Sequence, residues 1–139
     1  MKTTLFTFAI MLYSAFCLAQ DAKLSVTIEG IEKQEGTIYI SLHQSESTFP
    51  DNADDSVINQ TSNTFDNQAT FDFEGLKEGD YAVSFFQDLN GNKELDTNIF
   101  GFPQEPVGAS NMKSLARPKF SKCKFSLKGD QTKKVQFMN

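Results

Sequence analysis

The residues with the clearest chemical potential lie in one polar segment, residues 88–96, where oxygen-bearing side chains occupy alternate positions. Ca²⁺ is a hard cation that takes about six to eight oxygen ligands, and a tight loop of Asp and Asn can wrap such ligands around one ion. The segment therefore predicts a candidate calcium site, which makes calcium the one cofactor suggested by the sequence. Its candidate ligands are Asp88, Asn90, Asn92, Glu94 and Asp96.

The segment departs from a tight calcium loop at two positions. The sixth position of such loops is a glycine that allows a sharp turn, and the twelfth is a glutamate that gives two oxygens; here they are Lys93 and Ile99. Any affinity is therefore expected to be weak, with a Kd of about 0.1–1 mM. The alternative is a turn without metal, because Asn and Asp bond their own backbone and Asn90-Gly91 is a common turn dipeptide.

The segment belongs to a longer polar connection of roughly 30 residues, between Gln87 and Lys119, that is rich in Asn, Asp, Gly and Pro. Connections longer than about 15 residues without structure of their own are uncommon and are often functional. We therefore expect residues 88–111 to form a binding loop, in which Glu105 and Asn111 bond backbone amides and close it. The residues expected to shape this loop or to contact a partner are Gly101, Pro103, Glu105, Gly108, Ser110 and Asn111.

On both sides of this loop, apolar and polar residues alternate as they do in half-buried strands, whose successive side chains point to opposite faces. No stretch after the N-terminal leader shows a helical period. The pattern predicts an all-β fold, a single antiparallel β-sandwich of about seven strands with one long polar loop and a core rich in phenylalanine. The strand segments are residues 24–29, 37–43, 70–74, 81–86, 122–127 and 135–137, with residues 56–61 as a candidate seventh.

The N-terminus has the three parts of a secretory signal peptide. Lys2 precedes an uncharged, mostly apolar stretch from Leu5 to Ala19, and Asp21 is the first acidic residue. A membrane-spanning helix needs about 20 apolar residues, which is more than this stretch offers. We therefore predict that residues 1–19 are removed and that no transmembrane segment follows.

Removal of the leader leaves residues 20–139 as one domain, exported to the periplasm or the extracellular space. The net charge changes from −5 to −6, because the loss of Lys2 leaves 12 basic residues against 18 acidic ones. An acidic exported chain is a poor candidate for binding nucleic acid. Retention of an acylated Cys17, as in a lipoprotein, is the minor alternative.

The remaining reactive side chains give little support for catalysis. His43 is the only histidine, and the alternation places it on the outward, solvated face of its strand, whereas Cys123 falls on a core position. One histidine and one such cysteine are too few ligands for a usual zinc site. The weakest alternative is a hydrolase of envelope glycans that uses Asp88, Asp96 and Glu105 as its acids.

An ordered set of residues extends along the chain: residues 79–83, then Asp88, Asn90, Asn92, Asp96, Asn98, Gly101, Pro103, Glu105, Gly108, Ser110 and Asn111. In this order the chain resembles a bacterial family, the domain of unknown function 2141, over nearly its whole length after the leader. Members often carry His before the first aspartate and Gly after the second asparagine, where this chain has Gln87 and Lys93. The resemblance implies a small exported bacterial protein with a transthyretin-like or immunoglobulin-like sandwich and no established activity.

Together these features predict a non-enzymatic exported module that binds an unknown protein or glycan partner in the cell envelope through residues 88–111. Loops on a rigid β scaffold are the usual place for recognition. The alternative is a calcium-stabilised adhesion-like or structural domain, in which the ion orders the loop.

Overall fold

The computed structural model describes residues 21–138, and it contains two β-sheets that pack face to face. The all-β sandwich expected from the sequence is confirmed. The predicted leader, residues 1–19, lies outside the described residues. In chain order the elements are β1 (Ala22–Glu29), β2 (Thr37–His43), β3 (Ile58–Ser62), β4 (Gln68–Leu76), β5 (Gly79–Asp88), β6 (Val107–Ala109), α1 (Phe120–Cys123), β7 (Phe125–Leu127) and β8 (Gln131–Gln136).

The first sheet has the strand order β4-β1-β8, and the second has the order β3-β2-β5-β6, with β7 paired to the start of β5. All pairings are antiparallel except that of β1 with β8, which is parallel. The expectation of a purely antiparallel sandwich is therefore wrong at this pair. A hairpin forces antiparallel neighbours, but β8 comes from β7 in the second sheet and reaches β1 without a hairpin between them.

The core lies between the sheets and follows the alternation in the sequence. Leu24, Val26 and Ile28 of β1 are fully buried, while the residues between them are only half-buried. Each fully buried side chain of this size contributes about 1.5–3 kcal/mol. The other strands supply the rest of this cluster, which includes Ile38, Ile40, Leu42, Phe71, Phe73, Tyr81, Val83, Phe85, Leu127 and Val135.

A second, smaller apolar cluster covers the outer face of the second sheet. It joins Phe49, Ala82, Ala109 and Cys123, which come from the β2–β3 connection, β5, β6 and α1. The prediction that His43 is solvated is wrong, because this layer covers its strand and His43 is fully buried. Alternation gives the face of a residue but does not reveal that a loop packs on that face.

Two boundaries in the C-terminal half also differ from the sequence prediction. Cys123 is buried as expected, but it lies in α1 and not on a strand with Phe125. The short strand β6, only three residues long, interrupts the connection that was predicted to be a loop as far as residue 111. Within residues 21–138, no helix is long and apolar enough to cross a membrane.

Candidate functional site

The long loop, which we define as residues 88–106, leaves and returns at one end of the second sheet. β5 and β6 run antiparallel, and Phe86 pairs with Val107. One step beyond that pair, the backbone N–H of Gln87 donates to the carbonyl of Pro106 at 2.9 Å. The ends of the loop are therefore clamped together by the sheet itself.

Asp88 organises the first turn of the loop. Its side chain is almost completely buried, and its two carboxylate oxygens accept the backbone N–H groups of Gly91 and Lys93, each at 2.8 Å. Both donors lie in the left-handed region, with φ of 78° for Gly91 and 66° for Lys93. A buried carboxylate is stable only when such donors compensate for lost water, so the carboxylate and the tight turn stabilise each other.

Asn90, Asn92 and Asp96 converge in the next turn. The side-chain oxygen of Asn90 accepts the N–H of Asn92, and that of Asn92 accepts the N–H of Glu94, both at 3.0 Å. The side-chain amides of Asn90 and Asn92 both donate to the Asp96 carboxylate, the latter at 2.9 Å. Among the described hydrogen bonds, Glu94 contributes only its backbone N–H.

This donor set forms hydrogen-bonded Asx turns without an ion. The two side-chain amides present nitrogen, not oxygen, toward Asp96, whereas Ca²⁺ requires oxygen ligands. In the part of the chain that the structure describes, no group of three or more His, Cys, Asp or Glu residues could hold a metal ion. In this geometry the turn is ordered by its own hydrogen bonds, and calcium binding stays a prediction.

Glu105 connects the start and the middle of the long loop. Its side chain is buried, one carboxylate oxygen accepts the N–H of Leu89 at 2.8 Å, and the other accepts the N–H of Asp96 at 3.2 Å. These partners are backbone amides, the type of partner expected from the sequence. Because each of its oxygens accepts an N–H from within the loop, Glu105 braces the loop.

The end of the loop is a small hairpin, residues 97–103, in which Thr97 bridges to Pro103. Asn98 organises it. Its side-chain oxygen accepts the N–H groups of Phe100 and Phe102 at 2.9 and 3.0 Å. Its backbone N–H donates to the carbonyl of Phe102, and its carbonyl accepts the N–H of Gly101, both at 2.9 Å. Four hydrogen bonds to one residue hold this hairpin in a single shape.

The hairpin carries three exposed large apolar side chains, which we call the apolar tip: Ile99, Phe100 and Phe102. They are 93%, 78% and 59% exposed, respectively. Clustered apolar side chains on a soluble domain mark interaction sites more often than single ones do. The exposure of this group was not predicted, because apolar residues in a polar loop can equally fold back onto the core; the signal in the sequence is the run from Ile99 to Phe102.

Gly108, Ser110 and Asn111 lie away from the loop, on and beyond β6. The hydroxyl of Ser110 is buried, donates to the carbonyl of Cys123 at 2.6 Å and accepts the N–H of Val83 at 3.0 Å. Asn111 donates to the carbonyls of Cys123 and Lys124 at 3.2 and 2.9 Å. The expectation that Asn111 bonds amides to close the loop is wrong, because β6 carries it toward the opposite end of the sheet.

A depression of about 470 Å³ lies beside the base of the loop. Its wall includes the almost completely buried Gln87, whose side-chain amide donates to the carbonyls of Lys33 and Glu35 at 2.6 and 2.7 Å. Pro106 and Phe137 complete the wall nearest the core. Gln87 thereby ties the β1–β2 connection to the end of β5, where the loop begins.

The fold and the loop define a small β-sandwich whose chemistry is concentrated in one braced loop at one end. Residues 26–136 match the family described as an uncharacterized protein conserved in bacteria (DUF2141), and the chain belongs to this family. The resemblance seen in the sequence is thereby confirmed. Comparisons with curated proteins and with solved structures give no match.

Proposed function

We propose that this protein is a non-enzymatic binding module, exported from the bacterial cell, that recognises a protein partner in the cell envelope through its apolar tip. The observation that carries the proposal is the exposure of Ile99, Phe100 and Phe102 on a hairpin that is internally hydrogen-bonded. A side chain of this size gains about 1.5–3 kcal/mol when it is fully buried, so docking of all three supplies a large share of a binding energy.

The rigidity of the loop adds to this potential. Ordering a side chain at an interface costs about 0.5–1.5 kcal/mol, and a preorganised loop avoids much of that cost. Asp88 fixes the first turn, Glu105 braces the middle, and Asn98 fixes the hairpin. The polar residues of the loop thus support the binding residues, and they do not need to contact the partner.

The charge around the tip favours a partner with basic groups. No Lys or Arg occurs between Lys93 and Lys113, whereas Glu94 and Asp96 flank the hairpin. An acidic surface of this kind repels anionic lipid. It attracts a protein partner whose apolar cleft is surrounded by basic groups. The one polar side chain within the hairpin turn, Asn98, uses its oxygen internally, which favours a protein over a glycan rich in hydroxyl groups.

A binding role also fits the state of the loop carboxylates. The oxygens of Asp88 and Glu105 each accept a backbone N–H. A catalytic acid or base must instead reach the proton that it transfers. These contacts support the proposal of a structural role for both residues and count against the alternative of a glycan hydrolase.

The proposal is tested by a triple variant, Ile99→Ser, Phe100→Ser and Phe102→Ser. We expect its melting temperature to stay close to that of the wild type and its retention of envelope proteins to be lost. Val57→Ser is the matched control, because Val57 is also an exposed apolar residue, at 41%, and lies outside the loop. If the triple variant retained the same proteins as the wild type, the binding proposal would be rejected.

A calcium-stabilised domain is the second candidate, favoured by the convergence of Asn90, Asn92 and Asp96. Thermal melts in millimolar calcium, in magnesium and in chelator separate the two candidates. A ligand that binds only the folded state raises the melting temperature, so a calcium-specific rise that Asp96→Ala removes would favour the second candidate. The first proposal expects the three melts to coincide.

Export is tested separately by cell fractionation and N-terminal sequencing. The expected result is a periplasmic or secreted protein that begins at Gln20. A cytoplasmic protein that retains residues 1–19 would contradict it.

A further inference from the structure

The outer face of the second sheet contains a buried histidine that the proposed binding function does not use. His43 lies at the end of β2 and is fully covered by the connection between β2 and β3. We call residues 44–57 the covering segment. The imidazole Nδ1 lies 3.1 Å from the Thr48 hydroxyl of this segment, and Nε2 lies 3.0 Å from the Ser84 hydroxyl of β5.

Part of the covering segment contacts the sheet around this imidazole. The ring of Phe49 packs edge-on against His43, with centroids 5.3 Å apart, and also against Phe120, with centroids 6.0 Å apart. The carbonyl of Pro50 accepts the hydroxyl of Ser84 at 3.2 Å. Three consecutive residues of the segment, Thr48 to Pro50, therefore contact His43 or its hydrogen-bond partner.

We propose that His43 is a pH-sensitive anchor, and that its protonation releases the covering segment while the two sheets stay folded. The proposal goes beyond the binding function and does not depend on it. Release would uncover the outer apolar cluster of Phe49, Ala82, Ala109 and Cys123.

A neutral imidazole fits these contacts when Nε2–H donates to Ser84, whose hydroxyl donates to Pro50, and the Thr48 hydroxyl donates to Nδ1 and not to the carbonyl of Ser45. Its described contacts are two hydroxyl groups and one aromatic ring, so a buried imidazolium would have no carboxylate beside it. Burial lowers the pKa of His43 from its usual value near 6.5 to about 4. Buried charge without a partner is strongly unfavourable, whereas water solvates the imidazolium once the segment is released.

The charged groups on the packed elements lie outside this apolar layer. Asp51 of the covering segment pairs with Arg117, and Asp80 of β5 pairs with Lys124. Hydrogen bonds from Lys124 and Ser126 lower the pKa of Asp80. The other ionisable groups on these elements are Tyr39 of β2, Tyr81 and Asp88 of β5, Glu46, Asp54 and Asp55 of the covering segment, Lys113, Lys119 and Lys122 near α1, and Cys123, whose pKa is raised by burial.

The direction of the pH effect follows from the pKa of His43. In the released state His43 has its usual pKa near 6.5, and in the closed state its pKa is about 4. Between these two pH values the released state therefore binds a proton that the closed state does not bind. Acid therefore favours release, and the effect develops as pH falls from about 6.5 to about 4. Proton linkage with these two values raises the opening equilibrium about 50-fold between pH 7 and pH 4.5.

Hydrogen exchange measured by NMR on the full chain tests the proposal. Reporters in the covering segment are the N–H groups of Asn52 and Val57, which donate to the carbonyls of Thr48 and Leu42 at 2.9 and 2.8 Å. Their protection factors should fall about 50-fold between pH 7 and pH 4.5. The amides of Ile40 and Val83 in the sheet should stay protected.

Two variants separate the contribution of His43 from that of the carboxylates on the covering segment. His43→Gln should abolish the pH dependence, and Asp51→Asn, which removes the pair with Arg117, should keep it. A direct NMR titration of the imidazole in the wild type does not depend on any variant folding and should give a pKa below 5. An imidazole pKa near 6.5, pH-independent protection, or loss of sheet protection together with the segment would overturn the proposal.

Discussion

Glu105 is the single residue whose contacts best explain how the long loop keeps its shape. One carboxylate bonds the N–H groups of Leu89 and Asp96, which lie near the start and the middle of the loop. A polar group removed from a buried pair leaves its partner unsatisfied, at a cost of about 1–3 kcal/mol. We therefore expect substitutions of Glu105 to destabilise the protein and substitutions of exposed loop residues to have little effect on its stability.

We predict that Glu105→Ala lowers the free energy of unfolding by about 1–3 kcal/mol per amide left without a partner, as measured by urea denaturation. Glu105→Gln should lower the free energy of unfolding by less, because one acceptor oxygen remains. Glu94→Ala is the control, since the side chain of Glu94 is exposed, and should change stability by less than about 0.5 kcal/mol. Equal losses for Glu105→Ala and Glu94→Ala would contradict the bracing role.

A second residue-level prediction concerns Gly36, in the β1–β2 connection. Gly36 has φ of 79°, and a Cβ placed on it would lie 2.2 Å from the carbonyl oxygen of Asp88. Gly91 has nearly the same φ, 78°, but nothing within 4 Å of such a Cβ. Both alanine variants therefore carry the left-handed strain of about 1–2 kcal/mol, but only Gly36→Ala adds the clash.

Urea denaturation should show Gly36→Ala to be less stable than Gly91→Ala by about 1–3 kcal/mol, the usual cost of overpacking. The same comparison tests whether the β1–β2 connection supports the loop, because the clash falls on the backbone of Asp88. Identical losses in the two variants would mean that this contact does not matter.

For single residues, the sequence predicts contacts with neighbours along the chain and does not predict contacts with distant residues. The Asx turns of Asn90 and Asn92 could be foreseen as an alternative, because each side chain bonds an amide only two residues away. The burial of His43 could not be foreseen, because it depends on residues 48 and 49 folding back over the sheet. Asn111 was misjudged for the same reason, as its partners lie more than ten residues away along the chain.

At the scale of elements, the hairpin at the end of the loop is the unit that presents the apolar tip. Its shape depends on Asn98, whose side-chain oxygen replaces water at the N–H groups of Phe100 and Phe102. The hairpin contributes no residue to the main core. A substitution that makes the hairpin mobile should therefore leave the stability of the sandwich nearly unchanged.

We predict that Asn98→Ala makes the hairpin mobile while the melting temperature stays close to that of the wild type. The ¹⁵N order parameters of Phe100 and Phe102 should fall from about 0.85, typical of rigid backbone, to below about 0.6. Gln104→Ala is the control, because the side chain of Gln104 is exposed and makes no described hydrogen bond. Unchanged order parameters in Asn98→Ala would show that the hairpin is rigid for another reason.

The strands themselves were largely predictable, because alternation is a direct record of which face meets the core. β6 escaped prediction, since three residues that include Gly108 are too few for a visible pattern. The direction of β8 escaped it too, because pairing order depends on how a connection crosses between sheets and leaves no trace in the alternation.

At the scale of the whole molecule, the basic residues are concentrated in the C-terminal third of the chain. Three of the basic residues of the C-terminal third, Arg117, Lys124 and Lys134, form ion pairs with Asp51, Asp80 and Glu29. Net charge alone does not reveal this run of basic residues along the chain. Its members are Lys113, Arg117, Lys119, Lys122, Lys124, Lys128, Lys133 and Lys134.

This uneven distribution sharpens the binding proposal. The hairpin lies in a stretch without basic residues, between Lys93 and Lys113, and the acidic residues Glu94 and Asp96 precede it. Along the chain, the apolar tip is therefore flanked by acidic residues, which favours a partner with basic groups.

The most direct test of the binding proposal is site-specific photo-cross-linking in the producing bacterium, with a photoreactive phenylalanine at position 100. We expect one dominant cross-linked protein, which is lost when Ile99 and Phe102 are changed to serine and is not formed from the same probe at Val57. Cross-links that are equally abundant from positions 100 and 57, or none at position 100 in cells where the protein is abundant, would contradict it.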